Sequence, residues 1–97
     1  MDINSIPDSF QSKFRIAVIA ALMSGPKTFK QVKEMTDATD GNLSVHMSKL
    51  EELGYIDVKK EFRSKKPCTT YKLTEYGRNL FKEYVDLLEG LIRNASM

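Results

Sequence analysis

The sequence has little of the chemistry on which enzymes and metal proteins depend. It contains one cysteine, one histidine and no tryptophan among 97 residues. The single cysteine, Cys68, excludes an intramolecular disulfide and a cysteine-rich metal site, and it is typical of a protein in a reducing compartment. The sequence shows no Ser/His/Asp spacing, no glycine-rich phosphate loop and no pair of buried acids that could converge in a catalytic site. We therefore expect no enzymatic activity, no bound metal and no cofactor.

Long hydrophobic runs are also missing. The longest apolar run covers residues 16–23, whereas a membrane-spanning helix needs about 20 apolar residues. Lys13 and Arg15 precede the run inside a helical pattern, and no small-residue cleavage site follows, so we expect neither a membrane partner nor a signal peptide. These features predict a cytoplasmic protein. A length of 97 residues predicts one domain over residues 1–97, and 41% hydrophobic residues are enough for it to fold.

The charges of this chain are unevenly distributed, although the formal net charge is only +2. Residues 59–72 carry six cations against one acid, Glu61. Residues 39–58 carry four acids against one cation, Lys49. The positive charge is therefore concentrated in one short segment, which is typical of a surface that binds anions.

The first part of the chain predicts two helices joined by a turn. Pro7, Asp8 and Ser9 supply turn and cap residues for a first helix over residues 8–24, whose broad apolar pattern indicates two packed faces. A second, short helix is predicted over residues 28–36. Its start has a capping-box pattern, Thr28 followed three residues later by Gln31, and Val32 and Met35 are expected to face inward.

A third helix is predicted over residues 39–53, capped by Thr39. Leu43, Met47 and Leu50 recur at helical spacing and are expected to be buried. Gly54 then provides a left-handed exit from the helix. Because successive residues advance by roughly 100°, the opposite face of this helix carries small and polar side chains.

Two strands and a last helix are predicted after Gly54. Alternating apolar and polar residues over 55–73 predict a hairpin, with a basic turn at residues 63–67 between its strands. A long helix over residues 74–94 is capped by Thr74 and carries a broad apolar stripe. The order helix, helix, helix, hairpin, helix is that of a winged helix-turn-helix, a mainly α fold with a small β-hairpin in the α+β class.

The sequence resembles the compact winged-helix transcriptional regulators related to the MarR type. The resemblance extends from residue 14 to 92 and rests on GNLSVHMSKLEELGYI at 41–56, on Pro67, and on YKLTEYGRNLF at 71–81. It implies that the third helix is a recognition helix, that residues 55–73 form a wing, and that the partner is double-stranded DNA.

The candidate DNA contacts follow from this assignment. Small side chains allow a helix to approach base edges in the major groove, and cations on a short turn can neutralise phosphates or enter the minor groove. The candidates on the recognition helix are Thr39, Gly41, Asn42, Ser44, Val45, His46, Ser48 and Lys49. Those on the wing are Arg63, Lys65 and Lys66.

The last helix predicts a homodimer, because its apolar stripe is longer than a small winged-helix core can cover. The expected interface residues are Leu80, Tyr84, Leu87, Leu88, Leu91 and Ile92. The alternative is that this helix folds back on the first helix within one monomer. An unknown small-molecule effector at the dimer cleft is compatible with the sequence, although a chain this short has few residues left to enclose one.

Two features keep a second class of function open. Asp40 at the start of the recognition helix would repel a phosphate, and the outer face of that helix has no arginine to read guanine. A winged-helix module that binds another protein in a larger complex is therefore the alternative to a DNA-binding regulator.

Overall fold

A computed structural model describes residues 1–95 of the chain, which form four α-helices and one three-stranded antiparallel sheet. Two short 3-10 turns, Ile3–Ser5 and Asp8–Gln11, precede the first α-helix. The helices are α1 (Lys13–Leu22), α2 (Phe29–Thr36), α3 (Asp40–Glu52) and α4 (Glu75–Ala95). The strands are β1 (Lys27–Thr28), β2 (Ile56–Arg63) and β3 (Lys66–Leu73), in the sheet order β1, β3, β2.

The predicted start of the first helix at residue 8 is wrong. Asp8–Gln11 is a separate 3-10 turn, and α1 begins only after Ser12, whose hydroxyl accepts a backbone N–H of the first turn. Ser9 is buried, and its hydroxyl lies 2.9 Å from the hydroxyl of Tyr55. The serine expected to cap the helix therefore anchors the N-terminal segment to the core. The helix also ends earlier than predicted, at Leu22.

Helix α2 shows the expected capping box. The Thr28 hydroxyl accepts the Gln31 N–H at 3.2 Å, and the Gln31 side-chain oxygen accepts the Thr28 N–H at 2.9 Å. Val32 is fully buried, but Met35 is 56% exposed, so its predicted inward position is wrong. Met35 lies about 60° around the helix from Val32, while Thr36 is closer to the buried face and donates to the Val32 carbonyl.

Helix α3 packs its apolar side on the core as the sequence predicts. Leu43 and Leu50 are fully buried, and Met47 is only 2% exposed. At the start of the helix the Thr39 hydroxyl accepts the Asn42 N–H at 3.2 Å. The hydrophobic core cluster consists of Phe10, Val18, Ile19, Leu22, Val32, Leu43, Met47, Leu50, Tyr55, Ile56, Tyr71, Leu73 and Phe81.

The start of α4 lies directly against the backbone that leaves α3. The Thr74 N–H donates to the Tyr55 carbonyl at 3.0 Å, and the Thr74 hydroxyl donates to the Gly54 carbonyl at 2.7 Å. The same hydroxyl accepts the Gly77 N–H at 3.0 Å. A Cβ at Gly77 would lie 2.3 Å from the Tyr55 oxygen, so this approach requires glycine. Residues 54–55 and 73–77, which both lie in the segments that carry the family resemblance, therefore contact each other directly.

The hairpin is longer and tighter than expected. Strands β2 and β3 pair from Ile56 opposite Leu73 as far as Arg63 opposite Lys66, so the predicted turn over residues 63–67 is wrong. Only Ser64 and Lys65 connect the strands, with φ of 52° and 65°, as in a two-residue type I′ turn. The third strand, β1, pairs with β3 and was missed, because two residues are too few to show an alternating pattern.

Candidate nucleic-acid interface

The exposed side of α3 is a narrow ridge of small and polar residues, which we call the reading ridge. Its members are exposed and lie opposite the buried stripe of the helix. They are Gly41, Asn42, Ser44, Val45 and Ser48. Val45 is the one large apolar residue on the ridge, and 69% of it is exposed. Thr39 caps the helix from an exposed position at the end of the ridge.

A cleft of about 200 Å³ separates the reading ridge from the hairpin. Ser44, Ser48 and Glu51 line it from α3, and Lys60 and Tyr71 line it from the sheet. Burial, followed by the nearby Glu51 carboxylate, raises the pKa of Tyr71 above its usual value, so this phenol stays neutral. Lys60 therefore supplies a positive charge to a cleft that also contains the Glu51 carboxylate and a neutral tyrosine.

Arg15 of α1 lies on the other side of the reading ridge and was not among the predicted site residues. It lines a second depression together with Val45, Lys49 and Glu52 of α3. The Arg15 side chain is partly buried, and its Nε has no hydrogen-bond partner among residues 1–95. A guanidinium of α1 therefore lies beside the outer face of α3, which carries no arginine of its own. The sequence offered only a weak signal for it, a cation inside an otherwise apolar helical pattern.

His46, a predicted DNA-contact residue, packs against another helix of the fold. Its ring stacks on Phe14 of α1 with centroids 4.3 Å apart and an interplanar angle of 27°. Its Nδ1 is buried without a hydrogen-bond partner in the described part of the chain. Burial, and then the charge of Arg15, lowers the pKa of His46 below its usual 6.5. The imidazole therefore stays neutral near pH 7 and adds no positive charge to the ridge.

The acidic residue at the start of α3 has a partner on α2. The Asp40 carboxylate forms a salt bridge with the Lys33 ammonium, and both side chains are partly exposed. Lys49 of α3 also faces an acid, with its Nζ 3.9 Å from an oxygen of Glu52. The Lys33 pair reduces the repulsion of a phosphate that Asp40 alone would cause, because the opposite charge lies beside it.

The cations of the hairpin divide into two groups. Arg63 donates from Nε and Nη2 to one oxygen of Glu61, at 3.1 and 3.0 Å, and Lys59 lies 3.7 Å from the other oxygen. Lys65 in the turn and Lys66 beside it are exposed. Glu61 therefore offsets part of the positive charge, although such exposed ion pairs are worth only about 0–1 kcal/mol and can be exchanged for a phosphate.

The predicted dimer stripe on α4 has two parts. Leu80 and Tyr84 pack against the core of their own chain, and the Phe10 ring lies 5.1 Å from the Tyr84 ring. Leu87 is half-buried. Farther along the helix, Leu88 is 39% exposed and Leu91 is 41% exposed, and Ile92 is exposed as well. The first part of the stripe therefore belongs to the monomer core, as the alternative proposed, whereas the second part is left on the surface.

Other kinds of site have no counterpart in the described residues. Within residues 1–95, no group of three or more histidine, cysteine and acidic side chains is arranged to hold a metal ion. No helix in the same part of the chain is long and apolar enough to cross a bilayer.

The fold and this ridge define the protein as a winged helix. The chain belongs to the winged helix DNA-binding domain family, which it matches over residues 14–92. It is 36% identical over 86 residues to an uncharacterised protein of Methanocaldococcus jannaschii, covering 88% of this chain and 94% of that protein.

Two solved structures share the fold. A transcriptional regulator homologue from Pyrococcus horikoshii superimposes with a TM-score of 0.78 at 23% identity, covering 93% of this chain and 95% of the other. A protein from Enterococcus faecalis assigned to the MarR family of transcriptional regulators gives a TM-score of 0.83 at 21% identity, covering 97% and 86% of the two chains. The predicted α+β winged helix is confirmed.

Proposed function

We propose that this protein is a dimeric transcriptional regulator that binds double-stranded DNA, with α3 in the major groove and the β2–β3 wing on phosphates or in the minor groove. The observation that carries the proposal is the reading ridge, an exposed row of small residues between Arg15 on one side and the wing cations on the other. Membership of a DNA-binding domain family supports the same function.

The chemistry of the ridge suits contact with base edges. Asn42 can pair with adenine through two hydrogen bonds, and Ser44 and Ser48 can donate or accept on several bases. Val45 can touch a thymine methyl. The ridge places no cation over the bases, so we expect selectivity to come from α3 and most of the affinity to come from elsewhere.

The affinity is assigned to cations that flank the ridge. Lys65 and Lys66 are exposed at the end of the wing, and Arg63 can exchange its bond to Glu61 for a phosphate. Arg15 borders α3 on the other side of the reading ridge, and we assign it to a phosphate of the backbone on that side. Each phosphate that such a cation neutralises releases counterions from the duplex, so binding must weaken as salt rises.

The dimer is assigned to the second part of the α4 stripe. Leu88 and Leu91 remain partly exposed after the monomer has folded, and a self-complementary contact between two copies would bury them. A two-fold dimer would present two copies of α3 to successive major grooves, about 34–36 Å apart, and would prefer a pseudo-palindromic site.

The proposal is tested by selecting bound duplexes from a random pool and measuring the salt dependence of binding to them. We expect two half-sites about one helical turn apart and affinity that falls steeply with salt. Replacing Arg63, Lys65 and Lys66 by Ala should weaken binding to all duplexes and flatten the salt slope. Absence of salt-sensitive binding to random duplex DNA at low salt would contradict the proposal and favour a protein-interaction module.

A further inference from the structure

The end of the wing carries an aromatic side chain that the fold does not use. Phe62 is 76% exposed, the largest exposed fraction of any large hydrophobic residue among residues 1–95. It lies one residue before the end of β2, directly opposite Pro67 of β3. Phe62 and Pro67 are both outside the hydrophobic core and the residues packed against it.

The position of Phe62 follows from the alternation of side chains along the strand. Ile56, Val58, Lys60 and Phe62 share one face of β2. Ile56 is in the core, Val58 packs against the core, and Lys60 lines the cleft beside the reading ridge. This face of the hairpin therefore continues past the core on the side of α3, and Phe62 is its last member.

The surroundings of Phe62 select a negatively charged occupant. Arg63 follows it in the strand, and Lys65 and Lys66 are exposed at the turn beside it. A second copy of the wing would bring the same three cations against these three, which is unfavourable. The occupant has to be negatively charged and also has to offer a surface that the Phe62 ring can contact. A DNA minor groove meets both requirements, because its walls carry phosphates and its floor exposes the edges of base pairs that an apolar wedge can separate.

We propose that Phe62 is an apolar wedge that enters the minor groove beside the half-site and partly unstacks one base step. The inference rests on the proposed function, because it requires the wing to lie over a minor groove. Pyrimidine–purine steps such as TA unstack most easily, whereas runs of consecutive adenines are stiff. Phe62 is therefore a specificity-determining residue that selects flexible steps without hydrogen bonding to any base.

The test compares two duplexes of equal length, charge and base composition, alternating dA-dT and the dA·dT homopolymer, each closed by the same hairpin loop. The alternating duplex contains many TA steps and the homopolymer none. We expect the wild-type protein to bind the alternating duplex about tenfold more tightly. The Phe62→Ala variant should bind both equally or prefer the homopolymer, whose narrow minor groove attracts arginine.

Two further variants distinguish insertion of an apolar side chain at position 62 from the loss of any exposed aromatic ring. Phe62→Leu keeps an apolar wedge and should keep the preference for the alternating duplex. Tyr76→Ala removes another exposed aromatic ring, 58% exposed at the start of α4, and should leave the preference unchanged. The salt slope should be the same in all four proteins, because no charge is altered. Fluorescence of 2-aminopurine placed at the TA steps should rise on binding of the wild type and stay low with Phe62→Ala.

The outcomes distinguish this inference from the function on which it rests. A Phe62→Ala variant that keeps the preference and the fluorescence rise overturns the wedge while DNA binding stands. The same holds if light scattering shows that Phe62→Ala changes the oligomeric state and leaves the duplex preference intact, because Phe62 is then a protein contact. A wild-type protein that binds neither duplex at low salt overturns the proposed function, and the wedge with it.

Discussion

Replacement of Gly77 by Ala should destabilise the protein strongly, although alanine is the better helix former. A Cβ at this position would lie 2.3 Å from the Tyr55 carbonyl oxygen and 3.0 Å from two further backbone atoms of Tyr55. Real Cβ atoms do not approach a carbonyl oxygen so closely, so the first turn of α4 has to move away. That movement strains the hydrogen bond from the Thr74 N–H to the Tyr55 carbonyl. It also strains the two hydrogen bonds of the Thr74 hydroxyl, one to the Gly54 carbonyl and one from the Gly77 N–H.

The magnitude follows from these bonds. Three hydrogen bonds at about 1 kcal/mol each give a loss of about 3 kcal/mol in the free energy of unfolding. The higher helix propensity of alanine returns about 1 kcal/mol. The net loss of about 2 kcal/mol corresponds to a fall in melting temperature of about 8–16 °C for a domain of this size.

The assay is thermal and urea unfolding followed by circular dichroism, at one fixed protomer concentration because a dimer would make the melting temperature depend on concentration. Gly90→Ala is the matched control, since Gly90 lies in the same helix and a Cβ there meets nothing within 4 Å. The control should be neutral or stabilising by up to about 1 kcal/mol. A Gly77→Ala protein as stable as the wild type would refute the account of this contact.

Three further predictions concern the candidate interface and the dimer. Glu61→Gln should tighten DNA binding and steepen the salt slope by about one unit, because it releases Arg63 for a phosphate, as measured by fluorescence anisotropy in a salt series. His46→Gln should make the protein lose less stability on acidification than the wild type does. Burial and a neighbouring arginine lower the pKa of His46 in the folded protein from 6.5, so the unfolded chain binds more protons. The wild type therefore loses stability as the pH falls below about 6.5. Equal melting temperature profiles of the two proteins between neutral pH and pH 5 would contradict this sign. Replacing Leu88 and Leu91 by Glu should give a folded monomer on light scattering, and an unchanged dimer would exclude the second part of the α4 stripe as the interface.

The features that the sequence predicted well are those with a local physical cause. The buried stripe of α3, the Thr39 cap and the Thr28 capping box all depend on residues within one or two turns of each other. The hairpin turn was predicted too long because neither Ser64 nor Lys65 is a residue that usually adopts positive φ. Ser9 was misplaced for a different reason, since its hydroxyl bonds to a tyrosine 46 residues away.

In the candidate site, too, the features with a local cause could be predicted and those that depend on tertiary packing could not. The exposure of the reading ridge follows from helical periodicity alone and could be predicted. Arg15 could not be assigned to the site, because its place beside Val45 depends on how α1 crosses α3. Phe62 could not be distinguished from a core residue either, because an alternating apolar pattern does not show where along the strand the core ends.

The contacts of Tyr55 connect α3, the proposed recognition helix, to α4, the proposed dimer helix. The Tyr55 backbone leaves α3 and accepts a hydrogen bond from Thr74 at the start of α4, while its hydroxyl is bonded to Ser9 and its ring lies against Phe10. The Phe10 ring also lies against Phe81 and Tyr84 of α4, so Tyr55 is joined to α4 both by the Thr74 hydrogen bond and through Phe10. A displacement of α4 relative to α3 would have to disturb these contacts together, so we expect α3 and the first turns of α4 to move as a rigid body. The spacing between the two recognition helices of a dimer would then be set by how the outer parts of two α4 helices pack, so a variant that shifts this packing should change the preferred half-site spacing and leave the half-site sequence unchanged.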